Sequence, residues 1–162
     1  MFHTASKVNS AADFGKLFLG GFIGLMLWEI FARFVTPIFV GGPLQPASLV
    51  ISLFQNVFGL NLGRPLAEVI HYLTGIVFYP IGYYILTRYI VSFGTLIDGI
   101  IWGVITWVLA LGVFATAAGL PFMLGFIKLS WFSLIGHVIY GVVAVWIFVW
   151  LLERNHTPPH VT

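Results

Sequence analysis

Hydrophobic residues run almost unbroken through four stretches of the chain, about 17–40, 66–91, 96–118 and 129–152, with few polar residues among them. Each stretch reaches the roughly 20 residues that an α-helix needs to cross ~30 Å of hydrocarbon. Inside lipid the backbone must satisfy its own hydrogen bonds, which restricts spanning structures to helices and closed barrels. Barrel strands alternate apolar and polar positions, and these runs do not. The pattern therefore predicts an all-α polytopic membrane bundle of four transmembrane helices, a single integral-membrane domain over 1–162. Between the first two runs lies GGPLQPASLVISLFQNVFGLNLGRP, where Gly and Pro enclose an apolar segment, about 47–60, too short to span. Leu49, Val50, Leu53, Phe54, Val57 and Phe58 recur in it at helical spacing, opposite Ser48, Ser52, Gln55 and Asn56. An interfacial or re-entrant helix lying along the membrane surface is expected there.

The chain also repeats itself. GLPFMLGFIK joins the third and fourth runs as the longer Gly/Pro-rich loop joins the first two. The second run of each half opens alike, His71-Tyr72-Leu73-Thr74-Gly75 against His137-Val138-Ile139-Tyr140-Gly141. This predicts a 2+2 parallel repeat. Gly20 and Gly24 in the first run, and Gly99 and Gly103 in the third, have the spacing that lets membrane helices approach backbone to backbone. Gly75 shares a helix face with His71, as Gly141 does with His137, so both histidines are expected to face the bundle interior with packing glycines beside them.

Composition narrows the function. Hydrophobic residues make up 60% and charged residues 7% of the chain, against roughly 25% charged in an ordinary soluble domain. The net charge of +2 comes from seven scattered basic residues. They form no basic stripe, which argues against nucleic-acid binding. With no cysteine, thiolate chemistry, disulfides and cysteine metal sites are excluded. The N-terminal segment is too polar for a signal peptide, and no cleavage is expected. Lys7, Lys16, Arg88 and Arg154 fall on one side of the membrane and Arg64 and Lys128 on the other, with Arg33 deeper in the span, so the positive-inside rule places the termini in the cytoplasm.

Few ionisable residues remain inside the spans. Glu29, Arg33, Glu68, His71 and His137 all fall in the half of the membrane next to the long loop, and are expected to form one buried polar cluster. Asp98 opens the third helix at the opposite end and is left outside it. An ionised group in hydrocarbon costs at least ~2.5 to 3.5 kcal/mol, so each must pair or face a cavity. Glu29 and Arg33 are four residues apart and Glu68 and His71 three apart, which puts each pair on one helix face. Four uses follow. The pairs could hold helices in register. His71 and His137 are candidate axial ligands of haem b, with Arg33 or Arg64 for its propionates. Glu68-x-x-His71 with Glu29 and His137 echoes a di-iron site but lacks the second Glu-x-x-His, so no metal centre is assigned. Glu68 and His71 could also relay protons, with Pro80 bending the second helix. Trp131, Trp150, Tyr72 and Tyr89 sit near span ends, where aromatic belts lie. The tail Glu153 to His160 carries two histidines in a Pro-rich end, which reads as a solvated terminus.

A glycine-rich first helix, Asp98-Gly99-x-x-x-Gly103 in the third and Gly136-His137-x-x-Tyr140-Gly141 in the fourth together resemble small bacterial inner-membrane proteins of the YagU-like type. The resemblance implies a bacterial inner-membrane location and no particular activity. No nucleophile, phosphate loop or complete metal set is present, so the expectation is a non-enzymatic protein, an accessory or assembly subunit of an energy-transducing membrane complex. Its partners would be the lipid bilayer and other membrane subunits or further copies of itself. The alternative is a small oligomeric proton or solute transporter, or a haem b protein, using the Glu/His cluster.

Overall fold

The computed structural model describes residues 10–89 and 93–154. Lys7, the end of the second run and the tail beyond Arg154 lie outside them, as do the side chains of Arg88 and Tyr89. Among the described residues, four helices are long and apolar enough to cross a membrane: α1 (Ala11–Val40), α3 (Arg64–Thr87), α4 (Thr95–Ala117) and α5 (Lys128–Arg154). A shorter apolar helix, α2 (Pro46–Phe58), stands between the first two. The all-helical architecture expected from the sequence is present, and its boundaries shift for local reasons. α1 starts at Ala11 rather than near 17 because Ser10 caps it. The Asp13 backbone N–H donates to Ser10 Oγ (3.3 Å), while the Ser10 N–H donates to Asp13 Oδ2 (3.2 Å). Such a reciprocal pair satisfies two of the first turn's orphan donors.

Three spans contain a wide turn of π type, and in two of them a proline explains it. Within Phe31–Val35 the chain bonds five residues back, Thr36 N–H to Phe31 O. The next bond in that register would run from Pro37 to Ala32, but proline has no N–H. The freed Ala32 carbonyl accepts instead from the Leu44 N–H (3.3 Å). Within Thr74–Phe78 the same logic applies: Tyr79 N–H bonds Thr74 O, and Pro80 leaves Gly75 O without its helical donor. Tyr140 Oη on α5 donates to that carbonyl at 2.7 Å. A third wide turn, Val108–Phe114 in α4, contains no proline, and Gly112 lies inside it.

α5 sits between α1 and α4, α3 packs on the far side of α1, and α2 lies against α3 and the end of α4. Glycines set these distances. A Cβ on Gly20 or Gly24 would stand 2.5 Å from Ala144 O or 2.9 Å from Tyr140 O on α5. On the other side of α5, a Cβ on Gly99 would stand 2.6 Å from Val142 Cα, one on Gly103 2.6 Å from His137 O, and one on Gly141 2.6 Å from Gly103 N. α5 is thus held at backbone contact from both sides. Gly75 receives the Leu25 side chain, and Gly21, which the sequence reading passed over, lets α1 approach Pro80. Since lipid is as apolar as the helices, such close packing has to supply much of their association. Around it lies a core of Leu25, Trp28, Tyr83, Trp102, Tyr140, Val145 and Phe148.

At the loop end, side chains tie the elements together. Lys128 Nζ donates to Phe39 O at the end of α1 (2.8 Å), where the helix dipole favours a cation. Asn56 Nδ2 donates to Ala118 O (2.9 Å), so one residue of the polar face of α2 turns toward α4 rather than away from the bundle. The α4–α5 connection turns left-handed through Met123, Leu124, Gly125 and Phe126, pressing Met123 against Trp107 and Leu111.

Candidate functional site

The α1–α3 seam near the loop end holds the ionisable residues. Glu29 is the hub. Its Oε2 accepts from Arg33 Nε one turn on, and its Oε1 lies 2.7 Å from His71 Nε2 on α3. An ionised carboxylate only accepts, so Nε2 of His71 carries the proton in that bond. The Glu29 side chain is 9% exposed and the Arg33 side chain 46% exposed, so the pair runs from the bundle interior to its surface. Arg33 Nη2 also donates to Tyr72 Oη (3.3 Å). Glu68 stands between two guanidinium groups, 3.7 Å from Arg33 Nη2 and 3.7 Å from Arg64 Nε. Those separations are ion pairs beyond hydrogen-bond length. The buried Oε2 of Glu68 has no hydrogen-bond partner.

Glu29, Arg33, Glu68 and His71 are therefore brought together, joined by Arg64 and Tyr72. His137 stands apart. It is buried on α5, and its Nδ1 donates to Ser133 O (2.7 Å), with Ser133 Oγ at 3.3 Å. Trp28 connects the two: its ring lies 5.4 Å from that of His71 and 5.7 Å from that of His137. The two histidines thus share a neighbour but not a bonding pattern. Asp98, at the other end, accepts from the Phe93 N–H (2.8 Å).

This geometry does not fit a haem held by two histidines. The nitrogen that iron would take on His71 is bonded to Glu29, and the Trp28 indole stands against both imidazoles. Nor do the carboxylates assemble a metal site: among the described residues, no group of three His, Asp or Glu is placed to hold an ion. What the arrangement does is pair charge. Glu29 joins α1 to α3 through two partners at once, which offsets much of the desolvation cost of placing a carboxylate there.

Sequence reasoning missed Trp28, Tyr72, Ser133 and Tyr140 as partners in this region. Trp28 directly precedes Glu29, and Tyr72 directly follows His71, but aromatic residues are so frequent here that their polar atoms gave no separate signal. Comparison with protein-family models, with curated proteins and with solved structures finds no match.

Proposed function

We propose that this protein is a non-enzymatic accessory or assembly subunit of a larger bacterial inner-membrane complex, acting through helix contacts. Trp146 carries the reading. α5 packs against α1 and α4, yet one stripe of it faces outward, with Trp131, Ile135, Trp146 and Trp150 exposed by 49%, 46%, 58% and 39%. Trp131 and Trp150 lie near the helix ends, where tryptophan favours the interface. Arg154 stacks on Trp150, 3.8 Å from the ring centroid, as fits a headgroup-level position. Trp146 is eight residues inside Arg154, about 12 Å by helical rise. At that depth an outward indole finds no belt, and a tryptophan is a frequent anchor of protein–protein contacts. The charges at the α1–α3 seam, paired with one another, favour a clamp over a pathway. Cytoplasmic termini follow from the distribution of Lys and Arg, and the energy-transducing nature of the partner complex rests on the sequence expectation alone.

The test is the size of the native species. Extracted in mild detergent, the protein should migrate as one defined complex larger than the free chain, and Trp146→Ala should shift it toward the free chain. A second reading, proton passage, draws on the Glu29–His71 contact inside the span. Liposomes containing the protein should leak protons no faster than empty ones under the clamp reading. A flux that Glu29→Gln or Glu68→Gln abolishes would put proton passage in its place.

A further inference from the structure

Toward the end of the bundle away from the charge cluster, residues of α1, α3, α4 and α5 line a partly open cavity of about 10 Å³, among them Leu17, Pro80, Tyr83, Trp102, Tyr140 and Val145. Two of these side chains carry polar atoms that are buried without a hydrogen-bond partner, Tyr83 Oη and Trp102 Nε1. Both residues are deeply buried, at 2% and 5% exposure. Their rings stand edge-on, 6.0 Å between centroids. Tyr140 Oη spends its one proton on Gly75 O (2.7 Å) and keeps lone pairs free.

An indole N–H only donates, and a phenol both donates and accepts. An occupant that satisfies both must therefore accept at least one hydrogen bond. Leaving either group unpaired in the interior costs its full desolvation penalty. No charged side chain lines the cavity, which argues against an ion, and its size matches one water molecule, which needs two to four polar partners. We propose that a single water molecule is bound here, accepting from Trp102 Nε1, exchanging a hydrogen bond with Tyr83 Oη and donating to Tyr140 Oη. It links α3, α4 and α5 where Tyr79 and Tyr83 otherwise meet Trp102 through ring contacts alone.

NMR on the intact chain, ¹⁵N-labelled at tryptophan in detergent micelles, tests this directly. The Trp102 indole proton, assigned through its loss in Trp102→Phe, should show a dipolar cross-peak to the water resonance. Val145→Ile adds a methyl group to the cavity wall and should abolish that cross-peak while helical content by circular dichroism is unchanged. Tyr83→Phe should retain it, because Trp102 and Tyr140 still hold the water. No cross-peak in the unsubstituted protein would overturn the proposal. So would a cross-peak that survives in folded Val145→Ile, or one lost completely in Tyr83→Phe, since the latter would mean the signal came from the Tyr83 hydroxyl itself.

Discussion

Single atoms decide the local architecture at both proline bends. Each proline withholds one N–H, and each orphaned carbonyl five residues earlier is met by a donor from elsewhere: Leu44 N–H for Ala32 and Tyr140 Oη for Gly75. Tyr140→Phe keeps the ring and removes the donor to Gly75 O. It should lower stability by about 1–3 kcal/mol, the cost of an unsatisfied buried carbonyl, read as a drop in unfolding midpoint in detergent. The cluster makes a comparative prediction. Glu29 touches two partners at hydrogen-bond range, whereas both partners of Glu68 stand 3.7 Å away. Glu29→Ala should therefore lower the thermal midpoint more than Glu68→Ala, and equal effects would argue against Glu29 as the hub. In the sequence, Glu29, Arg33, Glu68 and His71 could be read because charges are rare and their spacing fixes a helix face. Tyr140 could not be read as the partner of Gly75, because that bond depends on a wide turn that only the folded register reveals.

Helices meet here through glycine, and individual glycines differ sharply in what surrounds them. A Cβ on Gly103 would strike backbone atoms of His137 and Val138 at 2.6 Å, whereas nothing lies within 4 Å of one on Gly15. Backbone cannot swing aside as a flexible side chain can. Gly103→Ala should thus destabilise by about 1–3 kcal/mol through overpacking. Gly15→Ala, in an exposed stretch of α1, should be neutral or stabilising by up to about 1 kcal/mol through helix propensity. Unfolding of the two variants side by side checks both, and similar losses in each would contradict glycine-set packing. The four spans were legible because their length and continuous apolarity leave no other structure open in lipid. Which helices touch was not. Gly-x-x-x-Gly marks a close approach without naming the partner, so the central position of α5 and the outer position of α3 were invisible. The Ser10 and Asp13 pair was a readable start signal for α1 that lies ahead of the apolar run, which is why apolarity alone placed the start too late.

For the molecule as a whole, two features stand together: charges consumed at one seam between α1 and α3, and a large apolar surface outside, with Trp146 at a depth where lipid offers it little. Composition already made the membrane class legible, since so few charged residues cannot cover so much apolar surface in water. The role was less legible, because a pairing cluster, a ligand cluster and a relay use the same residue types and differ in geometry alone. His71 turns its Nε2 to Glu29, and His137 turns its Nδ1 to the Ser133 carbonyl, an arrangement that composition and spacing could not reveal. The most direct test of a protein that works by helix contact is native gel electrophoresis after extraction in mild detergent, comparing the unsubstituted chain with Trp146→Ala. The account predicts one defined complex, larger than the free chain, that the substitution dissociates. A protein that runs only as the free chain, with or without Trp146, would contradict it.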